Sequence, residues 1–477
     1  MALKGNKEHL TVEACYEYLE QYVFTLRSSQ HQKRHPDWPG QVGIEIEMLP
    51  VVVDRASYPR FPESPPFLHR EVSTCLKKLS AKNNWELMEE ETGRGERFLS
   101  LIRLMIGETI TFEPGGQLEY SSQPFPCLQD VLQRVDDLQR EIESVLQPCG
   151  IQLVQMGMNP WHTVDEIGLQ MPKKRYLAMD QYFPSHWGLR MMRQTCSIQV
   201  CLDFGNDETA LAKRFLAAQL LSPVGAALFA NSPCMDRQVN DRQSNRVEVW
   251  QNLDAKRTGL IGVRALADKL DKKTCVEQYL AFALACPVVF VTDLAYKVPQ
   301  PRHSMREWIT NGIDGVFPSL QDFIVHLSLL FPEVRCRGYM EIRSIDCQAR
   351  PWQFAPVGFY IGLLYDQNNL DFVLDLMVPQ IPSLDHLNAE AKFGLRDETL
   401  KTLASRLMER SVEGLERLRE AFTGAGSSQT LRRFHSHFTE KGRTPAQDLT
   451  DLLKKKTQAF PTLKDLKELN NRWEAVI

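Results

Sequence analysis

Residues 42–48 read VGIEIEM, an alternation of apolar and acidic side chains. In an extended strand successive side chains point to opposite faces. Val42, Ile44, Ile46 and Met48 therefore share one face, while Gly43, Glu45 and Glu47 share the other. Two carboxylates on one strand face sit about 7 Å apart, where an effective dielectric near 20 gives a repulsion of roughly 2 kcal/mol. Glutamate is also a poor strand former. A face washed by water and salt would tolerate the pair, so this stretch alone decides nothing about chemistry.

Three further segments repeat the device. Residues 108–124, ETITFEPGGQLEYSSQP, put Thr109, Thr111 and Glu113 on one face, then Gln117, Glu119 and Ser121 after the Pro114-Gly115-Gly116 interruption. Residues 193–204 send Ile198, Val200, Leu202 and Phe204 one way. Thr195, Ser197, Gln199, Cys201 and Asp203 point the other. Residues 338–346 oppose Met340 and Ile342 to Glu341 and Arg343. One antiparallel sheet, with helices on its apolar side, accommodates all four segments.

Its polar side would gather five carboxylates, Glu45, Glu47, Glu113, Glu119 and Glu341, around one cavity. Such a cluster is costly unless cations fill it. All-oxygen ligands suit Mg²⁺, with Mn²⁺ as a substitute. No His or Cys set has zinc-like spacing. Mg²⁺ held by carboxylates beside an arginine usually serves a phosphate-bearing substrate. Neither G-x-x-x-x-G-K-[ST] nor G-x-G-x-x-G occurs, so a nucleotide would be held by metals and sheet residues rather than by a glycine loop.

Composition bounds the classes. The 477 residues are 43% hydrophobic and 24% charged, with a formal net charge of −4, which calls for neither nucleic acid nor an anionic membrane. No apolar run approaches the roughly 18 residues of a membrane span. The opening segment is charged and helix-like, without a signal-peptide core, and the expected location is cytoplasmic. Eleven cysteines lack any C-x-x-C, which fits free thiols and leaves a redox-switch disulfide open.

Apolar spacing predicts helices over 11–28, 127–146 and 209–229, the last broken or kinked near Pro223. Loops are expected at 35–40, at the proline-rich 57–66 and at 91–97, with a hinge at 424–428. The chain reads as α+β: a catalytic domain over 1–396 and a helical C-terminal region over 397–477 packed upon it.

Eight motifs in order carry a family resemblance: GIEIE, EPGGQLEYS, MPKKRYLAMDQYF, MMRQTCSIQVCLDF, ALFANSP, WQNLDAKRTG, FPEVRCRGYMEIRSID and GLLYD. Together they resemble the plant-type and proteobacterial glutamate–cysteine ligases, carboxylate–amine ligases related to glutamine synthetase. The resemblance implies a twisted antiparallel sheet binding ATP, metals and glutamate, wrapped by helices. It implies that ATP phosphorylates the γ-carboxylate of L-glutamate and that the amine of L-cysteine attacks the acyl phosphate, in a monomer or homodimer. By the same resemblance Glu45, Glu47, Glu113, Glu119 and Glu341 are metal ligands, and Arg343 stabilises the transferring phosphoryl group. Gln117 falls on the second metal-binding segment and Gln199 near the phosphates. Arg175, Tyr176, Thr195, Trp250 and Arg257 line or hold the glutamate pocket. Cys201 stands where the family usually has asparagine, which puts the pocket's polarity and the accepting amine in question. The rival expectations are the same acyl-phosphate chemistry with another amine, and a non-catalytic amino-acid or nucleotide sensor.

Overall fold

The computed structural model describes residues 9–28, 33–34, 37–53, 59–60, 67–92, 95–104 and 107–476. In chain order the strands are β1 Val42–Val53, β2 Pro59–Arg60, β3 Glu86–Glu91, β4 Arg97–Arg103, β5 Thr109–Phe112, β6 Leu118–Ser121, β7 Ile151–Val154 and β8 Ile198–Leu202. They continue with β9 Cys234–Met235, β10 Gln238–Val239, β11 Thr258–Gly259, β12 Phe331–Pro332, β13 Val334–Cys336 and β14 Met340–Ile342. The main sheet runs β13-β14-β8-β1-β6-β5-β4-β3, antiparallel throughout, and the second half of β1 pairs with β7 and β2. β9 with β10 and β11 with β12 form separate two-stranded pairs.

The period-2 pattern of β1 fixes which face is which. Ile44, Ile46 and Met48 are buried to about 1% exposure in the core, with Ile198, Val200 and Leu202 of β8 beside them. Helices cover that face. Helix Leu128–Leu146 buries Leu128, Val131, Val135, Leu138 and Ile142. Of the break or kink expected near Pro223, the break is absent: helix Glu208–Leu228 runs on through it. Every residue from Phe215 to Leu228 is buried, and that packing outweighs the roughly 3 kcal/mol a helical proline costs.

The N-terminal helix is shorter than its apolar spacing predicts. It spans Val12–Tyr18, capped by Thr11, and continues as a π turn over Leu19–Val23. At Phe24 the backbone leaves the helix, and the ring packs against Phe204, Phe215 and Tyr279. Tertiary burial of one aromatic thus overrides local periodicity. Of the expected loop at 57–66, Pro59–Arg60 pairs with β1 and the rest lies outside the described residues, as do 35–36 and 93–94. Between β3 and β4 the Thr92 amide donates to the Glu96 carbonyl at 2.8 Å.

After Asp397, which caps it, helix Glu398–Arg417 crosses helix Ala355–Leu364 at glycines. A Cβ on Gly414 would meet the Gly362 carbonyl oxygen at 2.0 Å, and one on Gly362 would meet the Ser411 carbonyl oxygen at 2.1 Å. The expected hinge at 424–428 is the turn into helix Ser427–His437, with Gly424 and Gly426 both at positive φ. Among the described residues no helix is long and apolar enough to cross a membrane.

Candidate active site

Strand register assembles the polar face. Glu45 lies opposite Gln199 of β8 and Ser121 of β6, and Glu47 opposite Glu119, which in turn faces Thr111 of β5. In the next row Cys201 lies between Gly43 and Glu341, and Glu341 opposes Arg335. Glu113 and Gln117 flank the β5–β6 turn, where the Glu113 amide donates to the Gln117 carbonyl at 2.9 Å. The turn requires glycines: Gly116 has φ +84°, and a Cβ on Gly115 would fall 2.3 Å from the Arg193 carbonyl oxygen.

A cavity of about 550 Å³ opens on this face. Four of the five expected carboxylates line it: Glu45, Glu47, Glu113 and Glu119. Their mutual exposure to a dry, like-charged site shows in their proton affinities. Burial, then Glu341 and Glu119, push Glu45 up to about 8. Burial, then Glu113 and Glu47, raise Glu119 to about 8. Glu113 rises to about 7 through burial and Glu47, and burial raises Glu47 as well. Hydrogen bonds fix their orientation: the Ser197 amide donates to Glu47 Oε2 at 2.7 Å, and Thr111 Oγ1 donates to Glu119 Oε1 at 3.0 Å.

The fifth carboxylate behaves differently. Glu341 is fully buried beneath the cavity and does not line it. Arg335 grips both of its oxygens at 2.8 and 3.0 Å, Arg343 donates to Oε1, and Arg337 approaches Oε2 at 3.5 Å. Burial would raise this carboxyl, but Arg335, Arg343 and Arg337 outweigh it and hold it at about 2. The structure thus sets this expected metal ligand among three guanidiniums.

Those arginines belong to a cationic wall. Arg335, Arg337 and Arg343 line the cavity together with Lys173, Arg175 and Arg246. Arg343 is steadied by Gln199 Oε1, which accepts from its Nη1 at 2.8 Å. Arg246 is buried; its Nη2 donates to the Arg343 carbonyl at 2.7 Å, while its Nε and Nη1 have no protein partner. Trp250, one helical turn on, stands 5.4 Å from the Arg246 guanidinium and also lines the cavity. Lys173 and Arg246 escaped the sequence reading. The one usable signal for Arg246 was its i, i+4 spacing to Trp250, which places both on one helix face.

The remaining expected residues divide. Gln117, Thr195, Gln199, Arg175 and Tyr176 all line the cavity. Gln117 Nε2 donates to the Thr195 carbonyl at 3.0 Å, locking the β5–β6 turn to the segment before β8. Arg257 lies elsewhere: wholly buried, it donates to the Leu329 and Pro287 carbonyls and packs against the Tyr182 ring. Its Nε, 3.5 Å from Asp254 Oδ2, has no hydrogen-bond partner. Cys201 is buried and absent from the cavity wall.

Among the described residues no three His, Cys, Asp or Glu side chains converge as a ready-made metal site. The donor chemistry nonetheless fits a hard divalent cation, since four carboxylates face one cavity and raise one another's proton affinity. Four carboxylates and six cations lining one cavity suit a metal-bound polyanion on an open sheet, the build of a carboxylate–amine ligase.

Comparison with known proteins narrows that class. The chain belongs to glutamate–cysteine ligase family 2, whose model matches residues 41–468. Chloroplastic glutamate–cysteine ligases are similar along most of its length. The one from Medicago truncatula is 31% identical over 400 residues, covering 81% of this chain and 75% of its own. That of Solanum lycopersicum is 32% identical over 401 residues, with 81% and 72% covered. In fold the chain resembles a glutamate–cysteine ligase of Francisella tularensis solved with AMP, at TM-score 0.53 and 12% identity, covering 91% and 89% of the two chains.

Proposed function

We infer that this chain is an ATP-dependent ligase that joins the γ-carboxylate of L-glutamate to the amine of L-cysteine. The products are γ-glutamylcysteine, ADP and phosphate, reached through a γ-glutamyl phosphate. The observation that carries this reading, beyond family membership, is the cavity lined by four carboxylates and six cationic side chains.

Glu45, Glu47, Glu113 and Glu119 are the residues to hold Mg²⁺ or Mn²⁺, with Gln117 setting the turn that carries Glu113. Bound there, such a cation neutralises phosphate charge and polarises the transferring group. Arg343, steadied by Gln199 and Glu341, meets the developing charge on the phosphoryl oxygens. Glu341 serves as its anchor. Arg246 offers two partnerless nitrogens to an amino-acid carboxylate, with Trp250 beside it, and a buried guanidinium of this kind finds its partner in a ligand. Arg175, Tyr176 and Thr195 complete the glutamate side. The region 397–477 acts as a helical buttress of the catalytic body, and a cytoplasmic setting is our reading of the location.

An isotope experiment tests the acyl phosphate. With ¹⁸O in the γ-carboxylate of glutamate, one labelled oxygen should appear in the released phosphate for each turnover. Unlabelled phosphate would contradict the intermediate.

A further inference from the structure

Cys75 and Cys149 are separated by 74 residues of chain, yet their Sγ atoms lie 2.8 Å apart. Cys75 projects from helix Phe67–Asn83, and Cys149 ends the 3₁₀ turn Gln147–Cys149 after helix Leu128–Leu146. Neither lines the cavity. Among the described residues Cys149 is the one exposed cysteine, and the other ten are buried. A soluble oxidant therefore meets Cys149 first, with its buried neighbour already in contact behind it.

We propose that Cys75 and Cys149 form a disulfide when the chain meets a low-molecular-weight disulfide, making this pair an oxidation site outside the catalytic cavity. A disulfide needs an S–S distance of about 2.05 Å, so closure asks for a sub-ångström shift. The exchange balances in two steps. The Cys149 thiolate attacks one sulfur of the small disulfide, and one small thiolate leaves and takes a proton. Cys75 then gives its proton to solvent, attacks Cys149 Sγ and expels the second small thiolate. Two protein thiols lose two hydrogens and two electrons, and the small disulfide becomes two thiols. Burial, then the contact with Cys149, push the Cys75 thiol up to about 11, which makes it the slower, resolving partner.

The bond would tie the outer helix Phe67–Asn83 to the turn that feeds β7, and β7 pairs with the second half of β1. Closing so long a loop removes freedom from the unfolded chain, so the oxidised protein should melt higher.

The test is to incubate the reduced full-length protein with oxidised glutathione, alkylate the remaining thiols and map peptides by mass spectrometry. The expected result is a Cys75–Cys149 cross-linked peptide two hydrogens lighter than the reduced pair. It should vanish with dithiothreitol and be absent from Cys149→Ser. The melting temperature should rise by several degrees on oxidation in the parent and not in the variant. Glutathione carried on Cys149 with Cys75 still alkylated, or both thiols still free, overturns the pairing. A cross-link with an unchanged melting temperature overturns the tether.

Discussion

Glu47 and Arg246 stand for the acidic and the basic side chains of the cavity, and each makes a prediction at the scale of one side chain. Glu47→Gln keeps size and hydrogen-bonding capacity while removing charge from the carboxylate that the Ser197 amide orients. Metal-dependent phosphate release should fall at least ~100-fold, with the circular-dichroism spectrum unchanged. Retained turnover would contradict its place among the metal ligands. Arg246→Met removes a buried cation with two partnerless nitrogens. Charge-assisted hydrogen bonds are worth about 1.5–3 kcal/mol, so KM for glutamate should rise ~10- to 100-fold. A KM that stays put while only KM for ATP moves would reassign the residue to the phosphates. The carboxylates were legible in the sequence because strand alternation puts i and i+2 on one face. Arg246, Lys173 and Arg257 were not, since a motif supplies a residue type and leaves its direction to packing. Arg257 turns inward onto carbonyls, and Arg246 keeps its free edge toward the site.

At the scale of elements, the crossing of helices Ala355–Leu364 and Glu398–Arg417 rests on two glycines whose backbones touch. In a free helix Gly→Ala would stabilise by about 1 kcal/mol. Here the new methyl meets backbone that cannot step aside. Gly414→Ala should instead lower stability by about 1–3 kcal/mol, read from the urea midpoint. A raised midpoint would mean the helices do not cross so closely. The four polar strands were readable from period alone, and so was the helix over Leu128–Leu146, with Cys127 at its N-cap. The unbroken passage through Pro223 and the early exit at Phe24 were not. Both are decided by what surrounds them: an all-buried helix in one case, an aromatic cluster in the other.

Across the whole molecule, the raised carboxylates make stability depend on pH and metal together. Glu45 and Glu119 near 8 and Glu113 near 7, against an ordinary 4.5, mean that the fold keeps protons the unfolded chain has released. Their contribution is present below 4.5 and is lost as pH rises through about 8. Glu341, held near 2, works oppositely: its contribution is present above 4.5 and is lost as pH falls toward 2. In EDTA the melting temperature should therefore decline from about pH 6 to about pH 8.5. Mg²⁺ should recover more at the alkaline end, because the cation replaces protons. A larger Mg²⁺ effect at acid pH would contradict the four-carboxylate site. The central claim is the reaction itself, and it is tested by phosphate release with Mg²⁺, ATP and L-glutamate as acceptor amines are added singly. Strong turnover with L-cysteine, and γ-glutamylcysteine in the mass spectrum, is the predicted result. Turnover with another amine alone, or with none, would contradict it.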